Sequence, residues 1–210
     1  MIRVVLIDDH AMIRRGLRET LSEASDITVV GEAGDYAGWR DLSRQIACDV
    51  LILDVNLPGR NGIEILQLLA DDAQSPAVVI LSQFPEDQYG IRALKAGAMA
   101  YLNKSGDPGE IICAVRTVAA GRKHVTPGIA AALMESVIEK RPEQLHQALS
   151  ERELQTMLLI ARGAKLAEIA GALSISPKTV SVYRARVLDK LKLGGNADIA
   201  AYAVRHRLID

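Results

Sequence analysis

The sequence predicts an α/β domain built on a doubly wound, five-stranded parallel sheet, followed by a small all-α domain of four helices containing a helix-turn-helix. Three observations carry this. Five short, continuously apolar runs alternate with helical stretches through the first 121 residues. The strand pattern then stops, and from Leu149 onward only helical segments remain. The charge also changes sign: residues 1–124 hold 13 Lys and Arg against 17 Asp and Glu, a net of −4, whereas residues 149–210 hold 10 against 6, a net of +4. An acidic part joined to a basic part suggests two ends that meet different partners.

The strand candidates are RVVLID (3–8), ITVVGEA (27–33), DVLILD (49–54), AVVILS (77–82) and AMAYLN (98–103). Each is too continuously apolar to have a wet face, as expected of parallel strands covered on both sides. Between them, residues 11–24, 35–46, 62–72, 86–97 and 108–121 carry helical periodicity. Five β–α units in this order give a doubly wound sheet, whose ligands bind beyond the carboxyl ends of its strands. A further helix is predicted over 127–140, with Pro127 suited to a first turn, and the polar stretch 140–147 with Pro142 reads as a linker. Four helices follow near 150–162, 165–173, 177–192 and 196–207. The domain boundaries are thus residues 1–121, a linker with a helix over 122–148, and 149–210.

Composition narrows the function classes. No window is apolar and uncharged for long enough to span a bilayer, and MIRVVLIDDH lacks the architecture of a signal peptide, so a cytoplasmic protein with no membrane partner is expected. Cys48 and Cys113 have no paired spacing and no histidine cluster near them, which argues for ordinary buried thiols over zinc or redox chemistry.

Asp8 and Asp9 follow the first strand and Asp54 ends the third. These strands are neighbours in a doubly wound sheet, so the carboxylates converge. Three crowded anions repel one another unless a cation joins them, and hard oxygen ligands with room for water and phosphate suit Mg²⁺. Ser82, ending the fourth strand, adds a hydroxyl, and Lys104, after the fifth, adds a fixed positive charge. His10 opens the first helix and is expected not to be a ligand.

These five residues, in this order on these strands, resemble the receiver domain of two-component response regulators, a flavodoxin-like fold. NLPGRNG (56–62) is similar to the loop after that family's phosphoacceptor, and KAGAMAYLNK (95–104) to the segment leading to its lysine. The resemblance implies that Asp54 is the nucleophile that takes the phosphoryl group from a sensor histidine kinase or a small phosphodonor. It implies that Asp9, Asp54 and the backbone carbonyl of Asn56 hold magnesium while Asp8 orients its waters. Ser82 and Lys104 would bind phosphoryl oxygens, and Tyr101 would be the aromatic that swings inward on activation. Leu57 replaces a frequent methionine at nearly equal volume, and Gln83 is bulkier than the small residue many receivers carry.

In the C-terminal part, Ser150 and Glu153 have capping-box spacing. LAEIAGAL gives a short helix, SIS a tight turn, and Pro177 stands just inside the next helix, the helix-turn-helix arrangement. On a wheel, Val187 and Leu191 each fall within about 20° of Val180, so the three share one stripe. Lys178, Ser181, Val182, Ala185, Arg186 and Lys192 fall on the opposite broad face. Cations beside small residues suit a helix in the major groove of double-stranded DNA. Lys178, Thr179, Ser181, Val182, Ala185, Arg186 and Lys190 are therefore the DNA-binding candidates. Arg184, about 40° from Val180, is expected to form an ion pair with Glu153 instead. The segment resembles the DNA-binding domain of the FixJ/NarL family, shared with LuxR-type regulators. That resemblance implies a homodimer contact through the last helix, where Ala200, Ala201 and Val204 offer a small apolar surface.

Together these features describe a phosphorylation-dependent transcriptional regulator, not an enzyme. The alternative is a haloacid-dehalogenase-like aspartyl-phosphate phosphatase, but that class needs Asp-x-Asp where this chain has Asp8–Asp9–His10, and it predicts no DNA-binding tail.

Overall fold

A computed structural model describes residues 1–70, 75–138, 145–206 and 208–209. The chain divides into two compact units, Met1–Ile138 and Glu139–Asp210.

In the first unit, β1 (Ile2–Ile7), β2 (Ile27–Ala33), β3 (Val50–Asp54), β4 (Ala77–Ser82) and β5 (Ala100–Asn103) alternate with α1 (Ala11–Ser22), α2 (Tyr36–Ser43), α3 (Gly62–Ala70), α4 (Glu86–Lys95) and α5 (Pro108–Ala119). The sheet is parallel throughout, in the order β2-β1-β3-β4-β5. Strand order reverses at β1, so the carboxyl ends of β1 and β3 lie side by side at the switch point. Alternate strand residues divide between two cores. Val4, Leu6, Ile52, Val79 and Leu81 pack under α1 and α5 against Leu17, Leu21, Val115 and Val118. Val5, Ile7, Leu51, Leu53 and Ile80, pointing the other way, are equally buried.

Strand β5 begins at Ala100, two residues later than the sequence pattern suggests, because the Ala98 N–H bonds back to the Ala93 carbonyl at the end of α4 (3.0 Å). Helix α2 ends at Ser43, short of residue 46. Helix α6 (Pro127–Ile138) packs on α4, and the expected residues 139–140 lie outside the described ones, as do residues 71–72 of the third helix.

The second unit holds a 3-10 turn (Leu145–Ala148), then α7 (Glu151–Ala161), α8 (Leu166–Ala172), α9 (Pro177–Leu191) and α10 (Asn196–Arg205). The 3-10 turn falls on residues expected to be linker, and residues 141–144 lie outside the described set. Helix α7 packs against α9 and α10, and α8 against α9. Leu154, Met157, Ile169, Val180, Val187 and Ile199 form the core of this unit. Ser150 and Glu153 form the capping box that starts α7: the Ser150 N–H donates to Glu153 Oε2 at 2.8 Å.

The expected Arg184–Glu153 pair does not form. Glu153 Oε2 meets Lys190 Nζ at 2.6 Å, and that ammonium also reaches the Ala148 carbonyl at 3.3 Å. The Arg184 Nε–H donates instead to Asn196 Oδ1 at 2.6 Å. A helical wheel fixes angle and not height. Arg184 lies six residues before Lys190, roughly 9 Å along the axis and about 120° around it, so it faces the start of α10, while Lys190 faces the start of α7. Burial alone would raise the Glu153 carboxyl, but the Lys190 ammonium and the Ser150 N–H outweigh it and hold it below the ordinary range.

Two sets of outcomes are expected from urea denaturation. A Cβ at Gly62 would lie 2.2 Å from the Asp54 carbonyl oxygen and 2.9 Å from Val55 Cα, so Gly62→Ala should cost about 1–3 kcal/mol. Gly16→Ala, with no atom within 4 Å of the added carbon, should instead gain about 0.5–1 kcal/mol within α1. The Lys190 side chain is 39% exposed, so solvent screening limits the loss in Lys190→Ala to about 0.5–1 kcal/mol, while Glu153→Ala, which also removes the capping box, should cost about 1–2 kcal/mol. A depressed carboxyl stabilises the fold above its unfolded value of about 4.3 and loses that contribution as pH falls through the lowered folded value, so the difference between wild type and Lys190→Ala should shrink as the pH is taken down into the acid range.

Candidate functional site

The carboxyl edge of the sheet gathers the acidic residues around one ammonium. Lys104 Nζ lies 2.6 Å from Asp8 Oδ2 and 2.8 Å from Asp54 Oδ2. Adjacent strands set this geometry. Ile7 and Leu53 are register partners in β1 and β3, which brings Asp8 beside Asp54. The Lys104 N–H donates to the Ser82 carbonyl at 2.7 Å, fixing where the lysine leaves β5. Asp8, Asp54 and Ser82 are each at least 98% buried.

Burial holds the Asp54 carboxyl above the ordinary aspartate range, against the opposing pull of Lys104. For Lys104, burial acts downward, but the Asp54 and Asp8 carboxylates more than offset it and hold the ammonium above its usual range. The lysine is therefore a fixed positive charge.

The loop after β3 closes over the pocket. Asn56 and Leu57 are buried, the Gly62 N–H donates to the Val55 carbonyl at 2.9 Å, and Asn61 Oδ1 accepts the Ile63 N–H at 2.7 Å. An Asn56 backbone hydrogen bond to the Asp54 carboxyl draws its pKa downward. Gln83, in contrast, is exposed.

One ligand atom from each of Asp8, Asp9, His10 and Asp54 lies within 4.8 Å of the others. Three carboxylates against one lysine leave an excess of two negative charges, matching one divalent cation, and oxygen donors suit a hard ion. The residues present thus fit a magnesium-type site. His10, set aside on sequence grounds, stands among them: its Nδ1 is 2.5 Å from Asp9 Oδ1 and 3.3 Å from Asp8 Oδ1. Arg14 was also missed. Its Nη1 donates to the Asp8 carbonyl oxygen at 2.6 Å and its Nε faces Glu32 Oε2 at 3.3 Å, bracing the acidic turn from β2. Its place one turn into α1 was the only sequence signal.

Ser82 and Tyr101 are joined through Phe84. The Phe84 N–H donates to Ser82 Oγ at 3.2 Å, and the Phe84 carbonyl accepts the Tyr101 hydroxyl at 2.9 Å and Asn103 Nδ2 at 3.1 Å. Tyr101 is fully buried, so its ring already lies inward in this structure.

In the second unit the turn between α8 and α9 contains Ser174 at φ 53°, and Ser176 caps α9 by accepting the Thr179 N–H at 3.1 Å. Val180, Val187 and Leu191 are buried, leaving Lys178, Ser181, Val182, Ala185 and Arg186 exposed along α9. Thr179 is half-buried and its hydroxyl bonds Ser176 Oγ at 2.8 Å, while Lys190 is engaged by Glu153. On α10, Ala201 and Val204 are exposed and Ala200 is half-buried. Among the described residues, no helix is long and apolar enough to cross a membrane.

Comparison with known proteins agrees with both halves. Residues 4–116 match the response regulator receiver domain and residues 147–203 the bacterial regulatory proteins of the luxR family. The chain is 37% identical over 212 residues to the response regulator UvrY of Escherichia coli, covering 99% of this chain and 96% of UvrY. It is 35% identical to the response regulator GacA of Pseudomonas aeruginosa, covering 100% of this chain and 99% of GacA. Among solved structures it resembles the response regulator ChrA of a heme-sensing two-component system, at a TM-score of 0.52, 35% identity, 99% of this chain and 98% of ChrA. The fold is also shared with RcsB of Salmonella enterica serovar Typhimurium bound to the promoter rprA, at a TM-score of 0.64, 22% identity, 96% of this chain and 97% of RcsB. Nothing in these matches supports the phosphatase alternative. With a receiver joined to a luxR-type helix-turn-helix and full-length likeness to UvrY and GacA, the chain belongs to the FixJ/NarL family of two-component response regulators, which regulate transcription.

Proposed function

We propose that Asp54 is the phosphoacceptor of this regulator and that its phosphorylation, with magnesium bound, favours a dimer that binds double-stranded DNA through α9. The observation that carries this is the single ammonium of Lys104 shared by the buried Asp8 and Asp54 carboxylates. An Asp54 oxygen attacks phosphorus of the donor, forming an acyl phosphate while the bond to the donor breaks. Asp8, Asp9 and Asp54, with the Asn56 carbonyl, are the residues that would hold the magnesium, which neutralises charge on the phosphoryl oxygens when bound. Lys104 and the Ser82 hydroxyl take the remaining phosphoryl oxygens. Ser82 then couples to Tyr101 through Phe84.

The donor is a cognate sensor histidine kinase or a small acyl phosphate, and the setting is the cytoplasm. The working division of the chain is a receiver over 1–121, a helix-bearing linker over 122–148 and the DNA-binding domain over 149–210. Lys178 and Arg186 act on phosphates, Ser181, Val182 and Ala185 on base edges, and Thr179 and Lys190 at the margins of the same surface. The exposed Ala201 and Val204, with Ala200, supply the dimer contact of the DNA-binding domains.

Acetyl phosphate with Mg²⁺ should add one phosphoryl group to wild type, located on the Asp54 peptide by mass spectrometry, and none to Asp54→Asn. Covalent phosphate on another residue at the wild-type rate would refute the assignment. On DNA, Lys178→Ala and Arg186→Ala should weaken binding to all sequences and lower the salt slope by about 1 per lost phosphate contact, whereas Ala185→Ser should change which sequence is preferred. An unaltered slope in Lys178→Ala would remove that residue from the interface.

A further inference from the structure

Strand pairing in β1 stops at Ile7, which is in register with Ala33 of β2 and Leu53 of β3. Asp9 stands two positions further on, so the ladder does not set the peptide plane that carries it. Asp8 is tied down at several points. Its N–H donates to the Ala33 carbonyl at 3.1 Å, its Oδ2 meets Lys104, and its Oδ1 accepts the His10 N–H at 2.8 Å. The remaining group of the Asp8–Asp9 link is the Asp8 carbonyl, and it is held by Arg14 Nη1 at 2.6 Å. That guanidinium is itself aimed by the sheet. Its Nε faces Glu32 Oε2 at 3.3 Å, and Glu32, on β2, pairs with Leu6 of β1. Arg18 Nη2 holds the other Glu32 oxygen at 2.6 Å.

Arg14 acts on the acidic pocket in two opposed ways. Its positive charge repels a divalent cation, which weakens metal binding. Its grip on the Asp8–Asp9 peptide keeps the Asp9 carboxylate in the group of ligand atoms that lie within 4.8 Å of one another, which strengthens it. The surroundings decide between them. Glu32 offsets the Arg14 charge at close range, while the Arg18 side chain is 56% exposed and its charge is screened by solvent. What Arg14 delivers to the pocket is therefore mainly geometry.

We propose that Arg14 is a positioning residue for the magnesium site: held by Glu32, it fixes the peptide before Asp9 and so sets the affinity for the metal without touching it. The inference rests on the reading of Asp8, Asp9 and Asp54 as the residues that hold magnesium. Groups that orient metal ligands from outside are worth about 10- to 100-fold in affinity. Arg14 orients one ligand through its backbone, which places it at the lower end. A lysine cannot take its place fully, because an ammonium lacks the planar fork that spans the Asp8 carbonyl and Glu32 together.

The test measures Mn²⁺ binding to the full chain by electron paramagnetic resonance, with Mg²⁺ in competition. Arg14→Ala should weaken both ions about 10-fold, and Arg14→Lys and Glu32→Gln by a smaller factor. Arg18→Ala, which loses a contact to Glu32 but none to Asp8, should bind as wild type does. Labelling with acetyl phosphate separates positioning from general damage. In Arg14→Ala the Mg²⁺ concentration for half-maximal labelling should rise about 10-fold, while the rate at saturating Mg²⁺ stays that of wild type. Unchanged or tighter ion binding in Arg14→Ala would overturn the proposal, tighter binding meaning that the lost charge outweighs the lost grip. Equal weakening in Arg18→Ala would overturn it too, by tracing the effect to the α1–β2 face as a whole. Should Arg14→Ala not fold, wild-type affinity in both Arg14→Lys and Glu32→Gln overturns it equally. A wild type that binds Mn²⁺ but takes no phosphoryl group on Asp54 would overturn the phosphoacceptor reading alone, and one that binds neither ion would overturn both.

Discussion

The shared ammonium of Lys104 is the interaction on which the first unit's chemistry depends. Two carboxylates more than nine-tenths buried at adjacent strand ends would otherwise repel at short range, and burial already pushes Asp54 toward its neutral form. A lysine at 2.6 and 2.8 Å from them keeps Asp54 a usable nucleophile without saturating the pocket's negative charge. The surroundings serve that placement. The Lys104 N–H is fixed to the Ser82 carbonyl, the Asp8 carbonyl is braced by Arg14, and the loop after β3 folds so tightly that Gly62 has no room for a side chain beside the Asp54 backbone. The constraint is geometric before it is chemical.

From that pocket a short run of bonds leads outward along the carboxyl edges of β4 and β5. Ser82, Phe84 and Tyr101 are connected by backbone and hydroxyl hydrogen bonds in a buried setting, where an unmade bond is costly. The Phe84 ring continues the path to Tyr89 on α4. The path does not end at a bare surface: α6 packs there, through Ile129 against Gly90 and Thr126 against Glu86.

The DNA-binding unit solves a different problem, that of holding a basic helix steady while leaving one face open. Val180, Val187 and Leu191 anchor α9 in the core, Ser176 and Pro177 begin it, and Glu153 ties its far end through Lys190 to the start of α7. One cation of the helix is thereby diverted to structure. The cations at 178 and 186 remain exposed on the opposite face, beside Ser181, Val182 and Ala185.

Much of this was legible in the sequence, because it follows from local rules. Period and run length determined five buried parallel strands, the doubly wound order determined that β1 and β3 are neighbours, and a strand-end position determined that Asp8 and Asp54 would meet. The capping box of α7 and the core stripe of α9 were likewise local matters, and the structure has both. Only tertiary structure decided which cation meets Glu153, since Arg184 and Lys190 differ in height along α9 and by about 120° around it, and only the packing of α7 and α10 shows which position faces which helix start. Tertiary structure also decided that His10 turns to Asp9, that Arg14 reaches the Asp8 carbonyl, and that the helix beginning at Pro127 lies on α4. A sequence records what each residue prefers next to its neighbours in the chain. Which distant atoms come within hydrogen-bond reach is fixed only when the layers are packed.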